Sequence, residues 1–428
     1  MTALLLRGGR RTFLSLRKHR NYRLFFTGQV VSVSGTWMQN IAMYWFVLSL
    51  TRDPVAIGIL SFCRFGPFTI FGLFSGVIAD RFDNRRTVIL TQSVQMGLST
   101  ILAIDAVTGH ATPWHVYVIA ALMGTALVLD APARQSLTFQ MVGRDELPNA
   151  IALNSSLFNI ARIAGPALGG IVIAAVGVGW CFAANAVSFL AVLASLLLMR
   201  ASELFPVDRR RRPTLLRGTR EGLSYAMRQR SVVVILGMMV VFASLCFNFN
   251  ILLPVLAKQT LDAGPRTFGI LSAAFGAGAL LGALAAAAMA RARWRTMLIG
   301  ATGFALCELL IAPVQSVPLD VLLLFFCGIF FTSYTANSNS RLQLDSPDHL
   351  RGRVLSLYYY AWNGLAPLGG LIVGWLSATG GTELAFTVAG SAGLVMATAG
   401  ALVLRQKKAP ATPVEEESAE PAQELVAA

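Results

Sequence analysis

Charged residues are scarce in this sequence: they make up 13% of its 428 residues, whereas 55% are hydrophobic. A soluble globular chain carries about 25% charged residues. Two or three soluble domains of ~150 residues would therefore need far more polar surface than this chain offers. The shortage excludes a soluble enzyme and an intrinsically disordered protein. It predicts a polytopic membrane protein whose few charges gather in short clusters.

Clustered metal ligands and paired cysteines are also missing. The five cysteines are scattered through apolar stretches without a C-x-x-C pair, which indicates buried, unreactive thiols. The four histidines form no cluster, so no metal site is expected. The first 20 residues are basic and contain no sustained apolar stretch, so no cleavable signal peptide is expected. We expect no cofactor.

Long apolar stretches recur from one end of the chain to the other. About 20 apolar residues suffice for a helix to cross ~30 Å of hydrocarbon, and in lipid only a helix satisfies its own backbone groups within one segment. The sequence therefore predicts an all-α membrane protein with twelve transmembrane helices. Their expected positions are 23–50, 54–79, 87–106, 112–130, 151–177, 180–200, 231–258, 267–290, 296–312, 318–338, 352–378 and 384–404.

Lysine and arginine are distributed unevenly among the segments that join these spans. If both termini are cytoplasmic, 30 of the 35 lysines and arginines lie in the termini and cytoplasmic loops. The opposite loops hold only Arg52, Lys258 and Arg266. The positive-inside rule therefore predicts cytoplasmic N- and C-termini and an even number of crossings. The net charge of +14 is expected to face anionic lipid rather than nucleic acid.

Polar segments divide the chain into five parts, and the second and fourth parts repeat one another. Near an offset of 200 residues, R-I-A-G-P-A-L-G-G at 162–170 ends in the same way as W-N-G-L-A-P-L-G-G at 362–370. Internal repeats in a membrane chain indicate a transporter whose substrate binds near the midplane between them. The five parts are a basic cytoplasmic N-terminus over 1–22, a six-helix bundle over 23–200, a basic cytoplasmic linker over 201–230, a second six-helix bundle over 231–404, and a disordered acidic tail over 405–428.

Two motifs resemble signatures of the major facilitator superfamily. The segment G-V-I-A-D-R-F-D-N-R-R at 76–86, after the second span, is similar to the superfamily's loop signature. The segment A-G-P-A-L-G-G at 164–170, on the fifth span, is similar to the G-P-x-x-G-G signature of exporters. Further patterns resemble the bacterial branch that includes the enterobactin exporter and macrolide efflux pumps: N-Y-R-L at 21–24, G-T-W at 35–37, D-A-P-A-R-Q at 130–135 and L-P-N-A-I-A-L-N-S-S at 147–156.

The resemblance, which extends over residues 11–405, implies roles for both motifs. It implies an exporter motif, at which the halves slide, formed by Gly165, Pro166, Gly169 and Gly170; static helix packing is the alternative. It also implies a conformational latch formed by Gly76, Asp80, Arg81, Arg85 and Arg86; for the three arginines, binding to lipid phosphates is an equal alternative. Within the latch, Asp80 would cap the start of the eleventh span near Arg353; an ordinary interfacial carboxylate is the alternative. One departure concerns Ala120, which occupies the position of an arginine that many proton-coupled exporters carry four residues before a glycine.

Polar side chains follow one face of several spans. A polar stripe on a membrane helix faces a cavity or another helix rather than lipid, and the resemblance implies that spans 1, 4, 7 and 10 line a central cavity. Contact with substrate and hydrogen bonding between helices are equally compatible with each position. The candidate cavity residues are Gln29, Ser32, Thr36, Asn40, Tyr44, Ser244, Asn248, Asn250, Tyr334, Asn337 and Asn363.

Two arginines, Arg64 and Arg162, are expected near the membrane midplane. A guanidinium at that depth costs several kcal/mol unless it is paired or faces water. The sequence offers no acidic residue at matching depth, although Asp130 and backbone carbonyls are alternative partners. Asp105 and Glu308 are expected near helix ends, where they could reach the membrane surface. The two arginines therefore join the candidate cavity residues and favour an anionic or polyphenolic substrate; a purely structural role is an equal alternative.

Together these features predict a secondary active exporter of a small amphipathic organic compound such as a siderophore or an antibiotic-like molecule. No G-x-x-x-x-G-K-[ST] loop for ATP occurs, so an ion gradient, expected to be of protons, would drive antiport. An importer on the same scaffold is one alternative, and a membrane-bound enzyme or sensor that transports nothing is another. The protein is expected to be a monomer in the bacterial inner membrane, surrounded by anionic lipid.

Overall fold

The computed structural model describes residues 13–206, 215–288 and 293–405, and contains no β-strand among them. Within these ranges it describes every side chain except those at 73–81, 215–220, 222, 287, 288, 348, 349 and 405. Several sequence features therefore lie outside the described residues, namely the segment 1–12, the arginine run 209–212, the tail 406–428, and the side chains of Gly76, Asp80 and Arg81.

The described chain forms fourteen α-helices. Short 3₁₀ and π-helical turns connect some of them, at Ala201–Glu203, Phe242–Cys246 and Leu256–Thr260. The helices are α1 (Leu14–Lys18), α2 (Arg20–Thr51), α3 (Pro54–Arg81), α4 (Asn84–Thr108), α5 (Pro113–Val176), α6 (Val178–Leu197), α7 (Leu215–Arg228), α8 (Arg230–Val241), α9 (Phe249–Val255), α10 (Pro265–Ala288), α11 (Trp294–Ile311), α12 (Val317–Asp345), α13 (Asp348–Gly364) and α14 (Ala366–Arg405).

Nine helical stretches in the described part of the chain are long and apolar enough to cross a membrane. Helix α5 has 64 residues, which at ~1.5 Å per residue would make it about three times as long as the ~30 Å hydrocarbon core. Its helical geometry breaks at Gly143, where φ is 71°, and α14 breaks in the same way at Gly381, where φ is 67°. Glycine tolerates positive φ at little cost. We refer to the stretches before and after each break as the first and second arms of α5 and α14.

The helices pack in two groups. Helices α2 to α6 pack on one another, and α8 to α14 pack on one another. In the first group, the Asn185 side-chain amide donates a 2.8 Å hydrogen bond to Gln39 Oε1 and joins α6 to α2. The groups meet mainly where α3 packs against α14 and where α5 packs against α10. The space between the groups is therefore bounded by four long helices.

The core of the second group is aromatic and is built around a π-helical turn. That turn, Phe242–Cys246, is closed by the Phe247 N–H, which donates a 2.8 Å hydrogen bond to the Phe242 carbonyl. The Phe242 ring stacks on Tyr334 of α12 with 4.7 Å between centroids. The Phe247 ring packs edge-on against Phe331 at 4.8 Å. The extra residue of a π turn locally rotates the helix, which here turns Phe247 towards the first group.

The linker between the groups is attached to both of them. At its start, the Phe205 N–H donates a 2.7 Å hydrogen bond to the Gln140 carbonyl in the first arm of α5. At its end, the Tyr225 hydroxyl on α7 donates a 2.9 Å hydrogen bond to the Asp345 carbonyl of α12. Glu221 of α7 also pairs with Arg353 of α13. Helix α7 is therefore docked on the second group.

Candidate central cavity

A cavity of about 270 Å³ lies between the two helix groups, and a smaller lobe of about 110 Å³ adjoins it. The two share Phe65, Phe247, Asn250, Trp362 and Asn363, so we treat them as one central cavity. Both helix groups contribute to its wall. The lining residues are Trp37, Ile41 and Tyr44 of α2, Ser61 and Phe65 of α3, Arg162 and Pro166 of α5, Ala243, Phe247, Asn248, Phe249, Asn250, Ile251 and Leu253 of the segment from the π turn through α9, Phe268, Ser272 and Phe275 of α10, Phe331 of α12, Trp362 and Asn363 of α13, and Ala366 of α14.

A larger groove, of about 1020 Å³, lies elsewhere in the second group. It is formed by α11, α12 and α14 and includes Leu298, Ile299 and Leu306. No residue of the first group lines it. The smaller central cavity is the better candidate site because both groups converge on it.

Nine of the 21 residues that line the cavity are aromatic. Phe249 stacks on Phe275 with 4.6 Å between ring centroids, and Phe247 lies 5.2 Å from Trp362. Phe268 stacks on Trp45 at 5.6 Å and so joins α10 to α2. Flat apolar rings bury a large area and offer faces on which a planar ligand can stack. The cavity therefore suits an amphipathic molecule better than a small hydrophilic one.

Arg162 brings a positive charge into this aromatic wall. Its guanidinium carbon lies 5.5 Å from the centroid of the Phe331 ring, across the boundary between the groups. Its Nη2 donates a 3.3 Å hydrogen bond to Asn159 Oδ1, and its Nε is buried without a hydrogen-bond partner. Among the described residues no carboxylate pairs with Arg162. A guanidinium in this state is suited to binding a carboxylate or another planar anion.

Arg64 lies outside the cavity wall, within the first group. It is 7% exposed, and its Nη1 contacts the Met123 sulfur at 3.5 Å. Asp130 is not its partner, because Asp130 accepts hydrogen bonds from Arg134 at 2.8 Å and from Thr91 at 2.7 Å. The two arginines are therefore not brought together: Arg162 lines the cavity, and Arg64 is buried among α2, α3 and α5.

The polar residues expected to line a cavity fall into two sets. Tyr44, Arg162, Asn248, Asn250 and Asn363 do line it. The others are not among its lining residues: Gln29, Ser32, Thr36, Asn40, Arg64, Ser244, Tyr334 and Asn337.

Helix rotation accounts for Thr36, and contacts within the second group account for Tyr334 and Asn337. On α2 the face towards the cavity carries Trp37, Ile41 and Tyr44, so Thr36 lies about 100° away from it. Tyr334 is fully buried in the aromatic core, and Asn337 Oδ1 accepts a 3.3 Å hydrogen bond from the Arg293 N–H.

Apart from Tyr44, the aromatic residues that line the cavity are absent from those that the sequence singles out. Phe65, Phe247, Phe249, Phe275 and Phe331 give no signal individually, because an aromatic residue on a membrane helix is equally suited to lipid. The sequence indicates the cavity lining only where aromatic and polar residues occur together on one stretch. Phe247 and Phe249 flank Asn248 and are followed by Asn250, so rings and amides are mixed on one short stretch.

The groups are held together tightly at one end of the molecule, which we call the sealed end. There Lys258 Nζ donates a 3.0 Å hydrogen bond to Ser49 Oγ and lies 5.4 Å from the Trp45 ring centroid. Gln259 Nε2 donates to the Arg52 carbonyl at 3.0 Å. These bonds connect the end of α2 to the π turn Leu256–Thr260 of the second group.

Glycines allow the backbones of the two groups to touch near the sealed end. A Cβ placed on Gly170 of α5 would lie 2.7 Å from the Gly269 Cα of α10. Real Cβ atoms essentially never come that close to a backbone atom. Two members of the exporter motif, Gly165 and Gly169, instead face Trp37 and Met38 of α2. The motif therefore packs against both the first group and the second.

At the opposite end, the basic end, the described hydrogen bonds stay within one group or connect it to the linker. Arg85 of the latch donates from Nε to the Leu196 carbonyl at 2.9 Å and so binds the C-terminus of α6. Arg86 has an exposed side chain, and its backbone N–H donates a 2.8 Å hydrogen bond to Asp83 Oδ1. Among the described side chains, the hydrogen bonds between groups extend from the sealed end only as far as Thr69 and Tyr360, which are joined at 3.1 Å.

Comparison with known proteins gives one family match and many relatives. Residues 12–427 match the family described as transmembrane secretion effector. The chain is 25% identical to the staphyloferrin A transporter of Staphylococcus aureus over 374 residues, which cover 86% of this chain and 92% of that protein. It is 25% identical to the enterobactin exporter EntS of Salmonella paratyphi A over 80% of this chain and 82% of that protein. It is 21% identical to macrolide efflux protein A of Streptococcus pyogenes over 80% of this chain and 86% of that protein.

Solved structures share the fold. The nucleoside transporter NupG superposes with a TM-score of 0.71 at 13% identity, covering 90% of this chain and 99% of that one. A bacterial homologue of the human lysosomal transporter Spinster, in its inward-facing and unoccupied conformation, superposes with a TM-score of 0.67 at 13% identity, covering 90% and 93%. At these identities the similarity concerns the fold alone.

Proposed function

The chain belongs to the transmembrane secretion effectors, a family of major facilitator transporters, and on that premise we propose that it exports a small amphipathic organic anion by alternating access. It is a multi-pass efflux transporter of the bacterial inner membrane, not an enzyme. The observation that carries the proposal is Arg162, a guanidinium without a carboxylate partner among the described residues, in an aromatic cavity between the two helix groups. Such a cavity matches a ligand that has both a flat apolar body and a negative charge.

The proposed topology has twelve crossings with both termini in the cytoplasm. The nine membrane-length helices of the described ranges become eleven when α5 and the stretch Leu350–Leu404 are each counted as two. Helix α2 has 32 residues but is rich in polar side chains, and it supplies the twelfth crossing. The excess of lysine and arginine places the basic end in the cytoplasm. The domain boundaries proposed from the sequence, with bundles over 23–200 and 231–404 and segments 1–22, 201–230 and 405–428 outside them, fit this topology.

The proposed mechanism is a rocking of the two groups about the central cavity. With the basic end in the cytoplasm, the contacts at Lys258, Gln259 and Gly170 close the periplasmic side, so this conformation would receive cargo from the cytoplasm. Export requires these contacts to break and new ones to form at the basic end. We assign the second task to the latch residues Gly76, Asp80, Arg81, Arg85 and Arg86.

The proposed cargo is a siderophore or an antibiotic-like compound, and the proposed driving force is proton antiport. The relatives are named for staphyloferrin A, enterobactin and macrolides, which supports a cargo of this size class. Antiport is supported by the absence of an ATP-binding loop from the sequence. We further propose that the protein acts as a monomer in contact with anionic lipid, through the basic residues at its cytoplasmic end.

The test of cargo charge is efflux from cells that express wild-type protein or a variant at either buried arginine. Staphyloferrin A, a polycarboxylate, and erythromycin, a basic macrolide, serve as the two cargoes. We expect Arg162→Ala to slow staphyloferrin A efflux by about tenfold or more, since a charge-assisted hydrogen bond contributes roughly 1.5–3 kcal/mol, and Arg162→Lys to retain part of it. Arg64→Ala is the matched control, because Arg64 is buried outside the cavity. Equal efflux of staphyloferrin A by wild type and Arg162→Ala would refute the assignment of Arg162.

A further inference from the structure

Glu308 is a buried carboxyl group that the mechanism above does not use. It lies in the last turn of α11, is 0% exposed, and neither of its oxygens has a hydrogen-bond partner. The sequence analysis expected Glu308 near a helix end with access to the membrane surface, and this expectation was wrong. The side chain points into the second helix group, because α11 packs there against α12 and α14.

The described groups that face Glu308 carry no positive charge. The π turn presents the Cys246 thiol, which donates to the Ala389 carbonyl of α14 at 3.2 Å. Cys307 precedes Glu308 on α11, and Cys327 faces it from α12. At its contact with the Cys246 sulfur, α14 offers Gly393, which cannot titrate.

An ionised carboxylate in this position would have a high free energy. Burial of an unpaired charge costs far more than burial of the neutral acid, and no described cation compensates it. The last turn of a helix is also the negative end of its dipole, which opposes a further negative charge. We therefore expect Glu308 to hold its proton in this conformation.

The π turn connects Glu308 to the cargo cavity. Cys246, which lies beside Glu308, is the last residue of the turn, and the next residue, Phe247, lines the cavity. Phe242, the first residue of the turn, stacks on Tyr334, whose hydroxyl is also buried without a partner. A cargo that displaces the Phe247 ring would strain a turn that already contains one extra residue. π turns occur frequently at functional sites.

A second buried carboxyl group provides a comparison. Asp320, in the first turn of α12, is likewise 0% exposed with no partner for either oxygen. Its position at the positive end of the helix dipole favours a carboxylate, but its burial without a partner disfavours one, as it does for Glu308. Its helix turn does not contribute to the cavity wall. Of the two carboxyl groups, only Glu308 is both disfavoured as an anion and adjacent to a segment that the cargo touches.

We propose that Glu308 is the proton-binding site that couples export to the proton gradient. This inference rests on the proposed antiport. In the conformation described, Glu308 is protonated. When cargo shifts the π turn, the carboxyl O–H bond breaks, the proton passes to water on the cytoplasmic side, and a carboxylate remains. After the cavity opens to the periplasm, a proton from that side restores the neutral acid.

The first test measures the proton directly and needs no cargo. Infrared pH-difference spectra of the full-length protein in lipid nanodiscs should contain the carbonyl band of a buried protonated carboxyl group. Glu308 and Asp320 are both buried carboxyl groups, so both can contribute to this region of the spectrum. We expect the Glu308→Gln spectrum to lack a band that the Asp320→Asn spectrum retains. A wild-type spectrum kept in full by Glu308→Gln would overturn the assignment, as would loss of carbonyl bands in Asp320→Asn alone.

The second test distinguishes a loss of coupling to the proton gradient from a loss of transport itself. In inverted vesicles with an acid interior, wild type should accumulate staphyloferrin A. Glu308→Gln should lose gradient-driven accumulation by at least tenfold, yet exchange internal for external staphyloferrin A without a gradient at a rate within about twofold of wild type. Gradient-driven accumulation by Glu308→Gln at the wild-type level would overturn the inference. If wild type itself moved no staphyloferrin A, the proposed function would fail for this cargo, and the infrared result would still decide whether Glu308 binds a proton.

Discussion

Individual polar side chains in this protein mostly form hydrogen bonds within one helix group. Asp83 of the loop signature accepts a hydrogen bond from the Arg86 N–H and caps α4. Arg85 donates to the carbonyl at the end of α6. Both interactions stay within the first group, so in the conformation described part of the loop signature holds the start of α4 in place. Arg162 and Glu308 differ from these residues because each is buried without a countercharge among the described side chains.

Loss of the helix cap at Asp83 tests this static role. Asp83→Ala removes the acceptor for the Arg86 N–H, and a lost N-cap typically costs about 1 kcal/mol. We expect a corresponding decrease in the free energy of unfolding, measured by thermal denaturation in detergent. Asp83→Asn preserves an acceptor oxygen and should remain near wild type. If both variants melted like wild type, the cap would contribute nothing to stability.

At the scale of helices, the decisive contacts are helix crossings at glycines, where no side chain separates the two backbones. Helix α5 meets α10 at Gly170 and Gly269, where the two backbones touch. This crossing brings Arg162 of α5 within reach of Phe331 of α12, and so builds the cavity wall from both groups. A crossing that must separate during transport and close again gains from a smooth surface on both helices.

A side chain at the crossing should prevent closure of the sealed end. Gly269→Val places two methyl groups against Gly170, so we expect export to fall by at least tenfold while the protein still inserts and folds. A cysteine introduced at Asn250 in the cavity should then react faster with an impermeant maleimide added from the periplasm. Gly97→Ala is the control, since a Cβ at Gly97 meets nothing within 4 Å. Unchanged labelling and unchanged export in Gly269→Val would contradict this account.

At the scale of the whole molecule, the two ends are unequal. The sealed end has hydrogen bonds, a cation–π contact and a glycine crossing between the groups. At the basic end, the described hydrogen bonds remain within a group or bind the linker. The contacts between the groups at the sealed end therefore hold the protein in this conformation. Lys258 makes more than one of these contacts.

Removal of the Lys258 amine should shift the balance between conformations. Lys258→Met loses the hydrogen bonds to the Ser49 hydroxyl and the Leu48 carbonyl, and the cation–π contact with Trp45, the last typically contributing about 0.5–2 kcal/mol. We expect periplasmic labelling of the cysteine at position 250 to rise several-fold. Arg266→Met, which removes an exposed charge from the same end, is the matched control. Equal labelling in the two variants would mean that Lys258 does not hold the end closed.

Most of the helices could be predicted from the sequence, but few of the residues that line the cavity could. Apolar length and the glycine motifs predicted where helices run, because both depend only on local composition. The cavity lining depends on helix rotation, and one residue changes the facing direction by about 100°. That is why Trp37 faces the cavity and Thr36 does not.

The partners of buried charges are equally hard to infer from sequence. Asp130 was an alternative partner for the midplane arginines, but its oxygens are taken by Arg134, Thr91 and Gln92. Glu308 lies close to a helix end in sequence, yet it is enclosed because its neighbours come from three other segments of the chain. Only tertiary packing determines such surroundings.

The linker is bound to both helix groups, and this limits how far the two groups can move apart. Phe205 is bound to the first group, and Glu221 of α7 pairs with Arg353 of the second, so the two anchor points are 16 residues apart. The ten residues from Phe205 to the start of α7 at Leu215 would span roughly 35 Å when fully stretched. While both anchorages hold, this length of chain limits how far the two groups can separate at the basic end, and so limits the width of any molecule that enters there.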